Sequence, residues 1–145
     1  PYQAKTLNYL GNVLAAQNLL DEACNSYQEA LALYRELGQQ GPATESLAGL
    51  AQVAMTRGQT DEALAFVEEI MKYLETNSLD SKGENFAVYL ACFEVLKAND
   101  DPRAADILNT AVSQLRERAG QIQDEQLRRS FLEKVAVNRR IMELE

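Results

Sequence analysis

Cys24 and Cys92 are the side chains best suited to nucleophilic chemistry, and neither has the company that chemistry needs. A cysteine nucleophile requires a base or cation that favours its thiolate, and histidine is absent from all 145 residues. Cys24 follows Asp21 and Glu22, whose charges disfavour a thiolate, and Cys92 lies in the middle of an apolar helical pattern. The missing histidine also removes the commonest metal ligand. Acidic pairs stand at Glu68/Glu69, Asp100/Asp101 and Asp124/Glu125. Adjacent residues on a helix point about 100° apart, so these pairs cannot converge on one substrate. They are expected to favour helix N-termini and solubility instead. No Gly-x4-Gly-Lys-Ser/Thr or Gly-x-Gly-x2-Gly run supplies a phosphate cradle. Met55 and Met71 read as core fillers. The sequence therefore predicts no catalytic residue, no cofactor and no metal.

Charge narrows the partners. Fourteen Lys+Arg against 22 Asp+Glu leave a net charge of −8, which repels nucleic acid and anionic membrane surfaces. One basic stretch departs from this: Arg128, Arg129, Lys134, Arg139 and Arg140 face only Glu133 between Arg128 and Ile141. It reads as a solvated helix face, with a docking patch for an acidic partner as the alternative. An apolar share of 46% is too high for a disordered chain, and no run approaches the roughly 20 apolar residues of a membrane span. Two distant cysteines without a disulfide framework point to a reducing, cytoplasmic setting. The first residue is Pro1 and helical pattern runs by Leu7, so an excerpt from a longer protein is expected.

What positions these surfaces is an internal repeat. Ala23-x3-Tyr27-x2-Ala30 recurs as Ala63-x3-Val67-x2-Ile70 and as Ala104-x3-Leu108-x2-Ala111, at distances of 40 and 41 residues. Twelve residues before each alanine stands a small residue, Gly11, Ala51 or Cys92. Apolar pairs precede it (Leu7 and Leu10, Leu47 and Leu50, Val88 and Ala91), and Leu14, Ala54 and Val95 follow three residues later. Each unit thus reads as two amphipathic helices joined by a tight turn, with small residues where the backbones approach. The pattern predicts helices over about 3–17, 20–37, 43–57, 61–76, 82–98, 102–119 and 124–143 and no strand. Asn18 and Gly58 are expected to end helices, Thr60 and Asp101 to cap them, and Ser81-x-x-Glu84 to form a capping box. The loops between units are expected over residues 38–42 and 76–80.

Through those residues the chain resembles the tetratricopeptide repeat, whose usual period is 34 residues. The resemblance covers about residues 4–119 and implies an all-α solenoid, an α-α superhelix of three helix-turn-helix repeats (about 4–40, 44–80 and 84–119) within a single domain, 1–145. Aromatic and proline positions common in the family are Leu7, Leu47 and Val88, and Arg35 and Glu75, here. The resemblance further implies a protein-binding role without catalysis, the first helix of each pair lining a concave face. The side chains expected there include Lys5, Asn8 and Asn12 in unit one, Gln52 in unit two, and Phe86, Tyr89 and Phe93 in unit three. The amides would hold a peptide backbone or terminal carboxylate, and the aromatics would anchor an apolar side chain or helix. The clamp by which some of these proteins grip acidic chaperone tails is not expected, because Gly49, Phe86 and Leu90 stand where cationic or amide groups are required.

Beyond Gly120 an amphipathic stretch with Leu127, Phe131 and Val135 predicts a seventh helix that caps the exposed end of the array. The run from Asp124 to Val135, with Asn138-Arg139-Arg140-Ile141, is similar to the closing segment of tetratricopeptide regions in large bacterial signalling proteins. That resemblance implies the sensor or scaffold part of a regulator of ATPase, cyclase or transcription-activator type. Many relatives carry proline where Ala136 stands, so a straighter helix is expected here. Two functions follow as expectations: a scaffold binding a peptide or helix, or a homodimerising module that pairs through the seventh helix or the open first unit.

Overall fold

The computed structural model describes residues 2–77 and 85–144, leaving aside the side chain of Asn85. All regular structure among them is helical: α1 (Tyr2–Ala16), α2 (Leu20–Glu36), α3 (Gln40–Thr56), α4 (Thr60–Leu74), α5 (Asn85–Ala98), α6 (Arg103–Gly120), α7 (Glu125–Glu133) and α8 (Ala136–Leu144). The capping box at Ser81 and Glu84 and the residues 78–80 of the second predicted loop lie outside the described residues. The chain divides into two compact units, residues 1–79 and 80–145.

The turns are built from backbone. Asn18, Gly38, Gly58 and Asp100 adopt positive φ of 61°, 70°, 74° and 53°. The residue after each donates its N–H five positions back, as Leu19 N to Leu14 O and Gln39 N to Tyr34 O. Gln59 N to Ala54 O and Asp101 N to Leu96 O repeat the bond. This is the Schellman closure, which satisfies orphan carbonyls and reverses the chain within a few residues. It also corrects two expectations. Thr60 is the first residue of α4 and not its cap, because the turn delivers the chain directly into the helix. The loop predicted over 38–42 closes early: Gly41 and Pro42 lie in the first turn of α3, where proline's missing N–H has no helical partner to lose.

In the first unit α1 packs on α2, α2 on α3, α3 on α4, and α1 also touches α3. Ala23, Ala30, Ala63, Val67 and Ile70 are fully buried, which is where the repeat pattern puts small and aliphatic residues. Tyr27 on α2 is the wedge. A Cβ on Gly11 of α1 would lie 2.7 Å from its ring carbons, and one on Gly49 of α3 would overlap the same ring. Two glycines on different helices thus make one aromatic slot. The Tyr27 hydroxyl donates to Asn12 Oδ1 at 2.6 Å, and burial pushes its pKa up to about 12. Ser26 Oγ donates to Leu7 O at 2.6 Å, and Ser46 Oγ donates to Asn8 Oδ1 at 2.9 Å, so the few polar atoms in this core are paired. Arg57–Asp21 and Arg35–Glu69 ion pairs tie neighbouring hairpins at the surface.

In the second unit α5 is the central helix. Its residues from Phe86 to Leu96 are buried apart from the partly exposed Ala87 and Glu94, as expected of a helix that is apolar all round. α6 pairs with it through Ala104, Ile107, Ala111 and Leu115. The predicted seventh helix is two helices, with a break at Lys134–Val135 despite the absence of proline. Asn138 of α8 supplies the physical reason: it is buried, and its Nδ2 donates 2.9 Å to Phe131 O near the end of α7. A side chain thereby satisfies a carbonyl that a continuous helix would have bonded through backbone. The break lets α8 turn back and pack on both α5 and α6, with Ile141 completely buried.

Candidate interaction surface

The residues predicted to face a partner separate into three groups. Lys5, Asn12 and Gln52 are exposed. Lys5 and Asn12 lie on one face of α1, and Gln52 lies on α3, which packs beside it. Lys5 Nζ stands 5.7 Å from the centre of the Tyr9 ring, so α1 offers a cation braced on an aromatic. Asn12 has its amide oxygen fixed by the Tyr27 hydroxyl. What an amide so engaged has left to offer is its two N–H donors, which suit a carbonyl acceptor. Gln52 presents both kinds of group from the neighbouring helix.

Asn8 is not available: only 4% of it is exposed, and Ser46 holds its amide oxygen. Ala48 and Gly49, on α3 beside Gln52, are buried too. Gly49 is where the Tyr27 ring enters. The expectation of an aromatic anchor on unit three is overturned most clearly, since Phe86, Tyr89 and Phe93 are all buried. The Tyr89 hydroxyl accepts from Gln114 Nε2 of α6 at 3.1 Å, and Lys97 Nζ lies 5.5 Å from the Phe93 ring. These aromatics are core of the second unit.

The basic stretch is also not one surface. Arg128 donates from Nε to Ala119 O (3.2 Å) and Ile122 O (3.0 Å), and from Nη2 to Ile122 O (2.7 Å). It closes the end of α6, a use of arginine near a C-terminus that the dipole also favours. Arg129 lies 3.7 Å from Glu125 and Arg139 3.8 Å from Glu143, both as exposed i,i+4 pairs. Arg140 acts on Glu94 of α5, whose carboxyl is pushed up by burial and pulled partly back by that charge.

Cys92 is buried and its thiol is pushed up to about 12 by desolvation, the opposite of an activated nucleophile. Among the described residues no group of three or more Cys, Asp or Glu could hold a metal ion, and no helix is long and apolar enough to cross a membrane. A cleft of about 400 Å³ between α2, α3 and α4 is lined by Arg35, Thr44, Glu69, Lys72 and Tyr73. Its Arg35 and Glu69 are paired with each other, and Thr44 Oγ1 donates to Gly41 O.

A family model described as Tetratricopeptide repeat matches residues 2–76, just over half of the chain and the whole span from α1 to α4. The chain belongs to the tetratricopeptide repeat family. Neither a curated protein nor a solved structure matches it. Tetratricopeptide repeats generally mediate protein–protein interaction, and the all-helical repeat architecture here is theirs. The matched region also holds the exposed Lys5, Asn12 and Gln52. Sequence reasoning missed the Tyr27 slot, although its signal was present: a large aromatic at one repeat position, with glycine in the first helix of its own unit and of the next.

Proposed function

We propose that the chain is a protein-interaction scaffold, without catalysis of its own, whose first unit receives a peptide along α1 and α3. The observation that carries this reading is the exposed strip of Lys5, Asn12 and Gln52 on two adjacent first helices. A carboxylate meets Lys5, backbone carbonyls meet the donors of Asn12, and Gln52 bonds either group. Charge-assisted bonds of this kind suit a peptide with an acidic residue near one end. The C-terminal run from Asp124 to Ile141, similar to the closing segment of large bacterial regulators, supports a place for the scaffold in a signalling protein of that kind.

The test is selection of peptides from a random display library on the full chain. Selected peptides are expected to lose at least about fivefold in affinity with Lys5→Glu and with Gln52→Ala, roughly 1 kcal/mol each. Arg129→Ala leaves them unchanged. Peptides indifferent to both unit-one substitutions contradict the reading.

A further inference from the structure

The cleft between α2, α3 and α4 is lined by one face of each of two helices. On α3, Gln40, Ala43, Thr44 and Leu47 stand at i, i+3, i+4 and i+7, and on α4, Glu69, Lys72 and Tyr73 stand at i, i+3 and i+4. Ala43 and Leu47 are buried and make an apolar floor, while Arg35 of α2 and Lys72 are exposed at the rim. Tyr73 forms a wall. A Cβ on Gly41 would lie 3.1 Å from its hydroxyl, so the bare backbone at the start of α3 is what lets that hydroxyl come close. At about 400 Å³ the cleft is at the small end of ligand pockets, and an apolar floor under a few polar groups is the usual make-up of such a site.

Its polar groups are unevenly used. Arg35 donates from Nη2 to Glu69, and the Thr44 hydroxyl donates to Gly41 O. Among the described residues nothing bonds the Lys72 ammonium, the Tyr73 hydroxyl or the Gln40 amide. Arg35 and Lys72 against Glu69 leave one net positive charge here, in a chain of net −8. The stacking of repeats does not call for these groups. At the repeat distances of 40 and 41 residues, Ala32 and Leu33 of α2 and Ser113 and Gln114 of α6 stand where α4 has Lys72 and Tyr73. Every one of the free groups can donate a hydrogen bond, which selects an anion. The single net charge selects a monoanion, because a phosphate dianion would bring a second negative charge beside Glu69.

We propose that this cleft binds a small organic carboxylate, its charge held between Lys72 and the remaining N–H groups of Arg35 and its apolar body laid on Ala43 and Leu47 beside the Tyr73 ring. The site is separate from the strip on α1 and α3 and does not depend on the peptide-binding reading. To test it, phenylacetate, 3-phenylpropionate and 4-phenylbutyrate are each titrated into the full chain and followed by amide chemical shifts. At least one is expected to give saturable shifts at Thr44, Leu47, Lys72 and Tyr73 by about 20 mM, a concentration that ligands of this size need. The matching neutral amide is expected to bind at least about tenfold more weakly, and Lys72→Gln to weaken the carboxylate at least about fivefold. Lys72 is exposed, so that variant keeps the fold, and Arg139→Gln, the same charge change on α8, leaves the affinity as it was. No saturable shift at the cleft residues overturns the site. So do shifts on Lys5, Asn12 and Gln52 in their place, which would give the carboxylate to the peptide strip and leave that reading standing. Equal binding of acid and amide, or equal loss in the two charge variants, overturns recognition by Lys72. Phenyl phosphate binding more tightly than the carboxylates makes this a phosphate site and overturns the choice of a monoanion.

Discussion

The two units are written in the same repeat code and use it to opposite ends. In the first, small residues and one aromatic wedge draw α1, α2 and α3 together, which leaves the outer faces of α1 and part of α3 in solvent. In the second, the corresponding first helix, α5, is buried on nearly every side and α8 packs on it and on α6. The aromatic character that would make α5 a strong partner-binding helix is the same property that makes it a core helix. Polarity decides the difference: α1 keeps Lys5, Asn12 and Thr6, whereas between Phe86 and Leu96 α5 has only Glu94 as a charged residue. An unpaired face requires groups that water can solvate, and α5 has few.

The largest expected effect tests the wedge. Tyr27→Ala should destabilise the first unit by about 3–5 kcal/mol, read as a shift in the urea midpoint. Gly49→Ala alone should cost about 1–3 kcal/mol by overpacking. In the Tyr27→Ala background Gly49→Ala should cost little, since the ring it would strike is gone. Additive losses would show that the ring and the glycine do not share a slot.

In the second unit Ile141→Ala should cost about 2–5 kcal/mol and release α8, seen as faster proteolysis after Arg139 and Arg140. Unchanged cleavage would mean that α8 does not close this unit. Smaller is Arg128→Ala, which removes the closure of α6 and should cost about 1–2 kcal/mol. Lysine should restore only part of it, because one ammonium cannot reproduce the guanidinium fork.

The smallest effects appear with pH and carry opposite signs. Arg103 holds the Asp101 carboxyl down to about 2 through side-chain and backbone hydrogen bonds. A lowered folded-state value stabilises above the unfolded carboxylate range and loses that stability as pH falls towards 2. Asp101→Asn should therefore flatten the acid limb of a stability profile. Glu94 is raised by burial, so its contribution is present below the ordinary glutamate range and is lost as pH rises through the folded value. Glu94→Gln should remove that loss, and a profile steeper at neutral pH than the parent's would contradict the assignment.

Much of the fold was legible because helical period and repeat period are properties of residue order. Ala23, Ala63 and Ala104 are buried at matching places in their hairpins, and the turn at Asn18 lies where a helix stop was expected. The site was less legible, because exposure depends on what lies across from a residue. Asn8 and Asn12 are four apart on one helix, yet Ser46 takes the first into the core while Tyr27 anchors the second at the surface. The break between α7 and α8 escaped for the same reason: its cause is the buried Asn138 amide reaching back to Phe131, and no local helix breaker marks it. Arg128 counted as surface charge in sequence and proves to be a cap in structure.

The most direct test of the central claim is amide chemical-shift mapping of the full chain with a library-selected peptide. The expected shifts cluster on Lys5, Tyr9, Asn12 and Gln52 of the first unit. Shifts concentrated on Phe86, Tyr89 and Phe93, or on Arg129 and Arg139, would contradict it.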